Sequence, residues 1–201
     1  MNVFVKSYPA PPIDRREILR YAGMKEPRAE VEQLLDSCLL QIDKLSYQVC
    51  WREFAIRDDG DTLDLGFTRT ASADLRRNLM GCHSLVLFAA TVGLEIDRLI
   101  ARAERLSPAS ALLLQAIGSE RVEAVCDEFN RDITAAQLAQ GRYTRPRFSP
   151  GYGDLPLALQ RDIFAVLDCP HRIGISLNQS LMMSPSKSVT AIIGISKDPR
   201  R

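Results

Sequence analysis

Leu85-Val86-Leu87-Phe88-Ala89 is an unbroken apolar run, too short for a buried helix and of the right length for a strand. A strand that is apolar on both sides belongs at the centre of a sheet whose two faces are covered. Further strands are predicted on either side of it. Upstream, Val49 to Ile56 and Leu63 to Phe67 flank Asp58-Asp59-Gly60-Asp61, where glycine and short acidic side chains favour a hairpin turn. Downstream, Ser188 to Ile195 has the β-branched content of a terminal strand.

Helical patterns supply the covering layers. From Arg28 to about Tyr47, Val31, Leu34, Leu35, Cys38, Leu39, Ile42 and Leu45 recur at helical spacing and predict one long helix. Ser107-Pro108 is a cap followed by proline at the first helical position, and it opens a helix to Ala139. That helix carries Leu113, Ile117, Val122, Val125, Cys126 and Phe129 inward, while Glu120, Glu123, Asp127 and Glu128 crowd one section. Shorter helices are predicted from Asp14 to Gly23, from Ser72 to about Leu79, over Leu94 to Leu106, and from Pro156 to about Leu167. The sum is an α+β fold, an antiparallel or mixed sheet packed with long helices, in a single domain spanning residues 1–201.

Composition narrows the function classes. Hydrophobic residues make up 46% and charged residues 25% with a net charge of +1, so the basic stripe of a nucleic-acid binder is missing. No apolar run reaches membrane-spanning length, and Met1 to Ala10 lacks the pattern of a secretory signal. The expectation is a cytoplasmic protein with no membrane partner. Cys38, Cys50, Cys82, Cys126 and Cys169 are widely spaced and read as reduced core thiols, and with His83 and His171 they form no metal-ligand spacing. No Ser-His-Asp, Cys-His or paired-carboxylate constellation marks a catalytic residue.

The most specific chemistry lies in Arg147-Phe148-Ser149-Pro150-Gly151-Tyr152. A guanidinium holds a carboxylate through two parallel hydrogen bonds, Pro150 stiffens the segment, Gly151 admits close approach of a ligand, and Tyr152 offers a ring with a polar tip. That combination suits a small zwitterion, although the same residues also describe a plain Pro-Gly turn. The glycines, prolines and arginines of Gly141 to Gly153 predict an exposed loop at one edge of the sheet.

Arg147 to Leu157 (RFSPGYGDLPL), Ile173 to Leu177 (IGISL) and Met182 to Ile195 (MMSPSKSVTAIIGI) together resemble the activation domain of cobalamin-dependent methionine synthase. Ala90 to Leu99 (ATVGLEIDRL) resembles that family's strand-to-helix segment, and Ala116 to Ala124 (AIGSERVEA) its long central helix, so the similarity runs in order from about Leu85 to Ile195. The resemblance implies S-adenosylmethionine as ligand, bound by Arg147, Phe148, Ser149, Pro150, Gly151 and Tyr152, with Glu123 as an acidic contact from the helix. It also implies a role in reductive remethylation of cobalamin, which would be carried by a separate methionine synthase or corrinoid protein. A low-potential electron donor of flavodoxin or ferredoxin type would supply the electron. Two positions depart from the family pattern: Gly141 stands where a glutamate is common, and the sequence ends at Arg201 without the family's C-terminal tyrosine pair. These departures leave open an interaction protein that kept the fold and lost the ligand. An independent small-molecule methyltransferase is the third reading, disfavoured by the lack of a glycine-rich strand-to-helix loop.

Overall fold

The apolar run at Leu85 is the middle of the sheet in the computed structural model, which describes residues 2–25 and 27–199. In chain order the elements are β1 (Phe4–Tyr8), α1 (Arg15–Tyr21), α2 (Ala29–Leu39), β2 (Tyr47–Ala55), β3 (Arg57–Asp58), β4 (Leu63–Asp64), β5 (Arg69–Thr70) and α3 (Ala73–Asn78). There follow β6 (Cys82–Thr91), α4 (Glu95–Leu106), α5 (Pro108–Leu138), β7 (Tyr143–Thr144), α6 (Gln160–Leu167), α7 (Cys169–Ile173), β8 (Ser176–Leu177), β9 (Met183–Ser184) and β10 (Ser188–Ser196). The main sheet has the order β1-β2-β6-β10-β7, and every pairing in it is antiparallel.

Alternation along β6 and β10 sorts side chains to two cores. Val86, Phe88, Ala90, Ala191, Ile193 and Ile195 face α1, α2, α4 and α5. Leu85, Leu87, Ala89 and Ile192 face the opposite way, against α3, α6 and α7 and the small β3-β4-β5 sheet. An aromatic chain crosses the first face: Phe4 stacks on Trp51 with centroids 5.5 Å apart, Trp51 meets Phe129 at 5.3 Å, and Phe129 meets Phe88 at 4.8 Å.

The three predicted caps, Asp14, Ser72 and Ser107, are all realised. Asp14 accepts from the Glu17 N–H at 3.1 Å, Ser72 from Leu75 at 3.0 Å, and Ser107 from Ser110 at 3.3 Å. Three expectations need correction. The helix expected from Arg28 to Tyr47 ends at Leu39, and the chain turns so that Tyr47 can begin β2 opposite Tyr8. Ile42 and Leu45 still reach the same core from that turn, so their spacing reported burial and not helix. Second, β1 forms a strand that the sequence did not announce; most of its side chains are exposed, which removes the alternation a strand usually shows. Third, Gly141 to Gly153 is not simply an exposed loop. Its first part is β7, paired to β10, and Arg145 and Pro150 within it are buried.

Candidate functional site

The segment after β7 continues along β10 with a slip of register. Thr144 pairs with Ile195, and four residues later Phe148 bridges to Ile192, only three residues back along β10. One extra residue therefore bulges from the edge strand beside Pro146, which has no N–H to give the ladder. A regular strand would set Thr144 and Phe148 on one face. The bulge instead leaves Thr144 against Thr134 of α5, their hydroxyls 2.8 Å apart, while Phe148 packs into the core on the far side. Arg147, just before Phe148, consequently points at α5.

There the guanidinium meets two acids one helical turn apart. Arg147 Nη2 lies 2.9 Å from Glu123 Oε2 and 2.9 Å from Asp127 Oδ1. The arginine side chain is 24% exposed, against 41% for Glu123 and 57% for Asp127, so the triad sits at the rim and not in the core. Its other terminal nitrogen, Nη1, is screened from solvent and has no hydrogen-bond partner. A screened donor left unpaired is destabilising by about 1–3 kcal/mol and asks for an acceptor.

The remaining residues of the stretch divide. The main-chain N–H and C=O of Phe148 are both spent on Ile192, at 2.9 Å each, so this residue offers a ligand no free backbone group. Gly151 N–H donates to the Leu155 carbonyl at 2.9 Å and Tyr152 N–H to the Ser149 carbonyl at 3.2 Å, forming a closed turn. Gly151 has a φ of 91°, which a side chain resists, and Tyr152 is 69% exposed on the turn's outer side. Asp154 fastens the turn from beneath: its carboxylate accepts from the Ser72 hydroxyl, from Ala73 N–H at 2.7 Å and from Asp74 N–H at 3.2 Å at the start of α3. Those bonds, the one from Ser72 foremost, hold the Asp154 carboxyl below its ordinary range.

On the α1 side of Glu123 runs a groove of about 870 Å³, lined by Pro11 to Glu17, Tyr21, Glu120, Glu123, Asp127 and Glu128, with Arg131 at its end. Its wall is pinned by an ion pair. Arg121, 1% exposed, donates to the Pro11 carbonyl at 2.6 Å and the Pro12 carbonyl at 2.7 Å while pairing with Glu120, and Glu120 in turn accepts from Asp14 N–H at 3.1 Å. Burial opposes the arginine's charge, and its hydrogen bonds to Glu120 outweigh that and raise its pKa. Burial, with a lesser push from Glu123, also raises the Tyr21 hydroxyl. The carboxylates outnumber the cations along this groove, so its field favours a positively charged ligand.

The structure thus unites Arg147 with Glu123, sets Ser149, Pro150, Gly151 and Tyr152 beside them as a turn, and sends the Phe148 ring elsewhere. Sequence reasoning passed over Asp127 as a ligand to Arg147, although its spacing of four from Glu123 places both on one helix face. Glu120, in the same acidic section of the helix, is buried at 4% exposure. No helix among the described residues is long and apolar enough to cross a membrane, and among them no cluster of His, Cys, Asp or Glu is placed to hold a metal.

Comparison with known proteins gives a consistent pattern. A family model described as vitamin B12 dependent methionine synthase, activation domain, matches residues 77–200. A crystal structure of the MetH reactivation domain bound to AdoHcy is similar with a TM-score of 0.76 and 15% sequence identity, over 100% of this chain and 80% of that one. No curated protein matches.

Proposed function

The chain belongs to the vitamin B12 dependent methionine synthase activation domain family, and from that premise we propose that it binds S-adenosylmethionine where Arg147 meets Glu123. It then supports reductive remethylation of cobalamin held by a separate methionine synthase or corrinoid protein. The observation that carries this reading is the Arg147-Glu123-Asp127 triad with its unpaired, screened Nη1.

A zwitterionic amino-acid end fits that triad by exchange. Its carboxylate takes both terminal nitrogens of Arg147, including the unpartnered one, and its ammonium takes the places Arg147 gives up at Glu123 and Asp127. Partly exposed ion pairs of this kind are worth about 0–1 kcal/mol, so trading them is inexpensive. S-adenosylmethionine, when bound, supplies an electrophilic methyl group on a sulfonium. The acidic groove beside Glu123 favours that cation, and the exposed Tyr152 ring together with Leu157 offers an apolar surface next to the turn. The chain's own task is therefore binding and orientation, and no acid or base is required of it. The protein acts in the cytoplasm, and the electron comes from a flavodoxin or ferredoxin type donor.

One observation favours the second reading, an interaction protein without ligand: Arg147 is already satisfied at Nη2 by two carboxylates of its own chain. The discriminating assay mixes the purified chain with a cobalamin-loaded methionine synthase, S-adenosylmethionine and a low-potential reductant, and follows the cobalamin spectrum. The chain is expected to accelerate remethylation, and its Arg147→Ala variant to lose most of that effect. Equal rates with and without the chain would reject the role. Turnover of a small acceptor with no corrinoid present would point to an independent methyltransferase.

A further inference from the structure

Lys187 takes no part in the site as built so far, yet it reaches the same stripe of α5. It immediately precedes β10, and the segment carrying Arg147 runs antiparallel to β10, so the chain from Phe148 to Tyr152 travels toward the end of the sheet where Lys187 lies. Lys187 Nζ donates to Ser119 Oγ at 3.1 Å. Ser119, Glu123 and Asp127 follow one another at intervals of four on α5, so Lys187 and Arg147 approach that helix about one turn, roughly 5.4 Å, apart.

Helix α5 is shaped to receive this lysine. Gly118 lies in its interior, where glycine is less favourable than alanine. A Cβ at Gly118 would come within 2.8 Å of Ile96 Cγ1 and 2.9 Å of Lys187 Cγ. The lysine stem therefore rests against bare helix backbone, which limits its rotamers and aims the amine. Ser119 Oγ already donates to the Gln115 carbonyl at 3.0 Å, so it takes one of the three N–H bonds of the lysine and leaves the others open. Among the described residues Lys187 forms no ion pair, whereas Arg147 holds two carboxylates. A half-buried ammonium with Asp97 nearby but no ion-pair partner among the described residues is an unfavourable arrangement that a bound anion relieves. Burial pulls its pKa below the ordinary lysine value, with Asp97 of α4 opposing the shift.

We propose that Lys187 is a second cationic anchor of the ligand site, gripping the ligand's carboxylate together with Arg147 while Glu123, between them, takes the ammonium. This rests on the reading that S-adenosylmethionine binds along the Arg147-Glu123 stripe. It makes the site selective for nucleosides bearing an α-amino carboxylate over the bare nucleoside thioether.

The test titrates S-adenosylmethionine and 5′-methylthioadenosine, which lacks the carboxylate, into the unaltered chain, Lys187→Ala and Lys187→Arg. Lys187→Ala is expected to weaken S-adenosylmethionine about tenfold, the order of one charge-assisted hydrogen bond. It should leave 5′-methylthioadenosine unchanged, which also reports that the variant is folded. The lysine contact is complete while the amine is protonated and is lost as pH rises through its lowered pKa. The unaltered chain should therefore show an alkaline loss of affinity for S-adenosylmethionine that Lys187→Arg lacks. Asp97 of α4 is the carboxylate that acts on the amine, and it is retained in Lys187→Arg, so the comparison isolates the lysine. Equal losses for both ligands, or no loss in Lys187→Ala, would overturn the inference while leaving the binding reading intact. Failure of the unaltered chain to bind S-adenosylmethionine would overturn both.

Discussion

Arg147 and Arg145 stand two residues apart on one edge strand and point to opposite faces of the sheet. Arg145 packs beside Cys82 and Leu79, where Gly194 makes room for it, and Arg147 reaches α5. The cause is the extra residue at Pro146, and nothing in the pattern of residue types reveals which of the two arginines the slip turns toward the helix. The sequence singles out Arg147 by the residues that follow it, Phe148 to Tyr152, and not by its geometry. Glu120 and Glu123 make a similar pair: both belong to one acidic section of the helix, yet Glu120 is buried against Arg121 and Glu123 lies at the rim. Arg121→Ala would leave Glu120 buried and unpaired and would free the Pro11 and Pro12 carbonyls. We expect a loss of about 3–5 kcal/mol in urea unfolding, the usual consequence of removing one partner from a buried pair. A loss under 1 kcal/mol would show that the Pro11 to Asp14 wall stands without this pin.

Among the elements, α5 does most to organise the site: its inward face fills the first core, and its outward stripe presents Ser119, Glu123 and Asp127. Its start at Ser107-Pro108 and its length were legible because the cap, the proline and the helical period all agree. The end of α2 was not legible, since Ile42 and Leu45 keep their helical spacing while serving a turn. The turn from Gly151 to Asp154 depends on another element in turn, because Asp154 caps α3 from outside it. The Asp154 carboxyl is held below its ordinary range, so its contribution is complete above the unfolded-state value and is lost as pH falls through the lowered one. Asp154→Asn should therefore lower the urea midpoint at neutral pH and reduce its decline on acidification, with faster hydrogen exchange of the Gly151 and Leu155 amides. An unchanged pH profile in the variant would assign the acid sensitivity to other carboxylates, such as Asp132, which Lys6 and Tyr8 also hold below the ordinary range.

On the scale of the whole molecule, the two-faced antiparallel sheet explains how residues far apart in sequence meet at one place. One face and its helices fix α5, the other fixes the turn through α3, and the edge strand between them brings Arg147 to Glu123. The α+β class and the central position of Leu85 to Ala89 followed from patterning alone, whereas the meeting of edge strand and helix required the register of β10. Tyr152 and Leu157 are exposed on the turn that follows Arg147. If Arg147 binds the amino-acid end of S-adenosylmethionine, calorimetric titration of the unaltered chain and of Arg147→Ala will separate the two. The unaltered chain is expected to bind saturably below millimolar ligand, and the variant to bind more weakly by about 1.5–3 kcal/mol, roughly 10- to 150-fold. No saturation at millimolar ligand, or equal affinity in the two proteins, would contradict it.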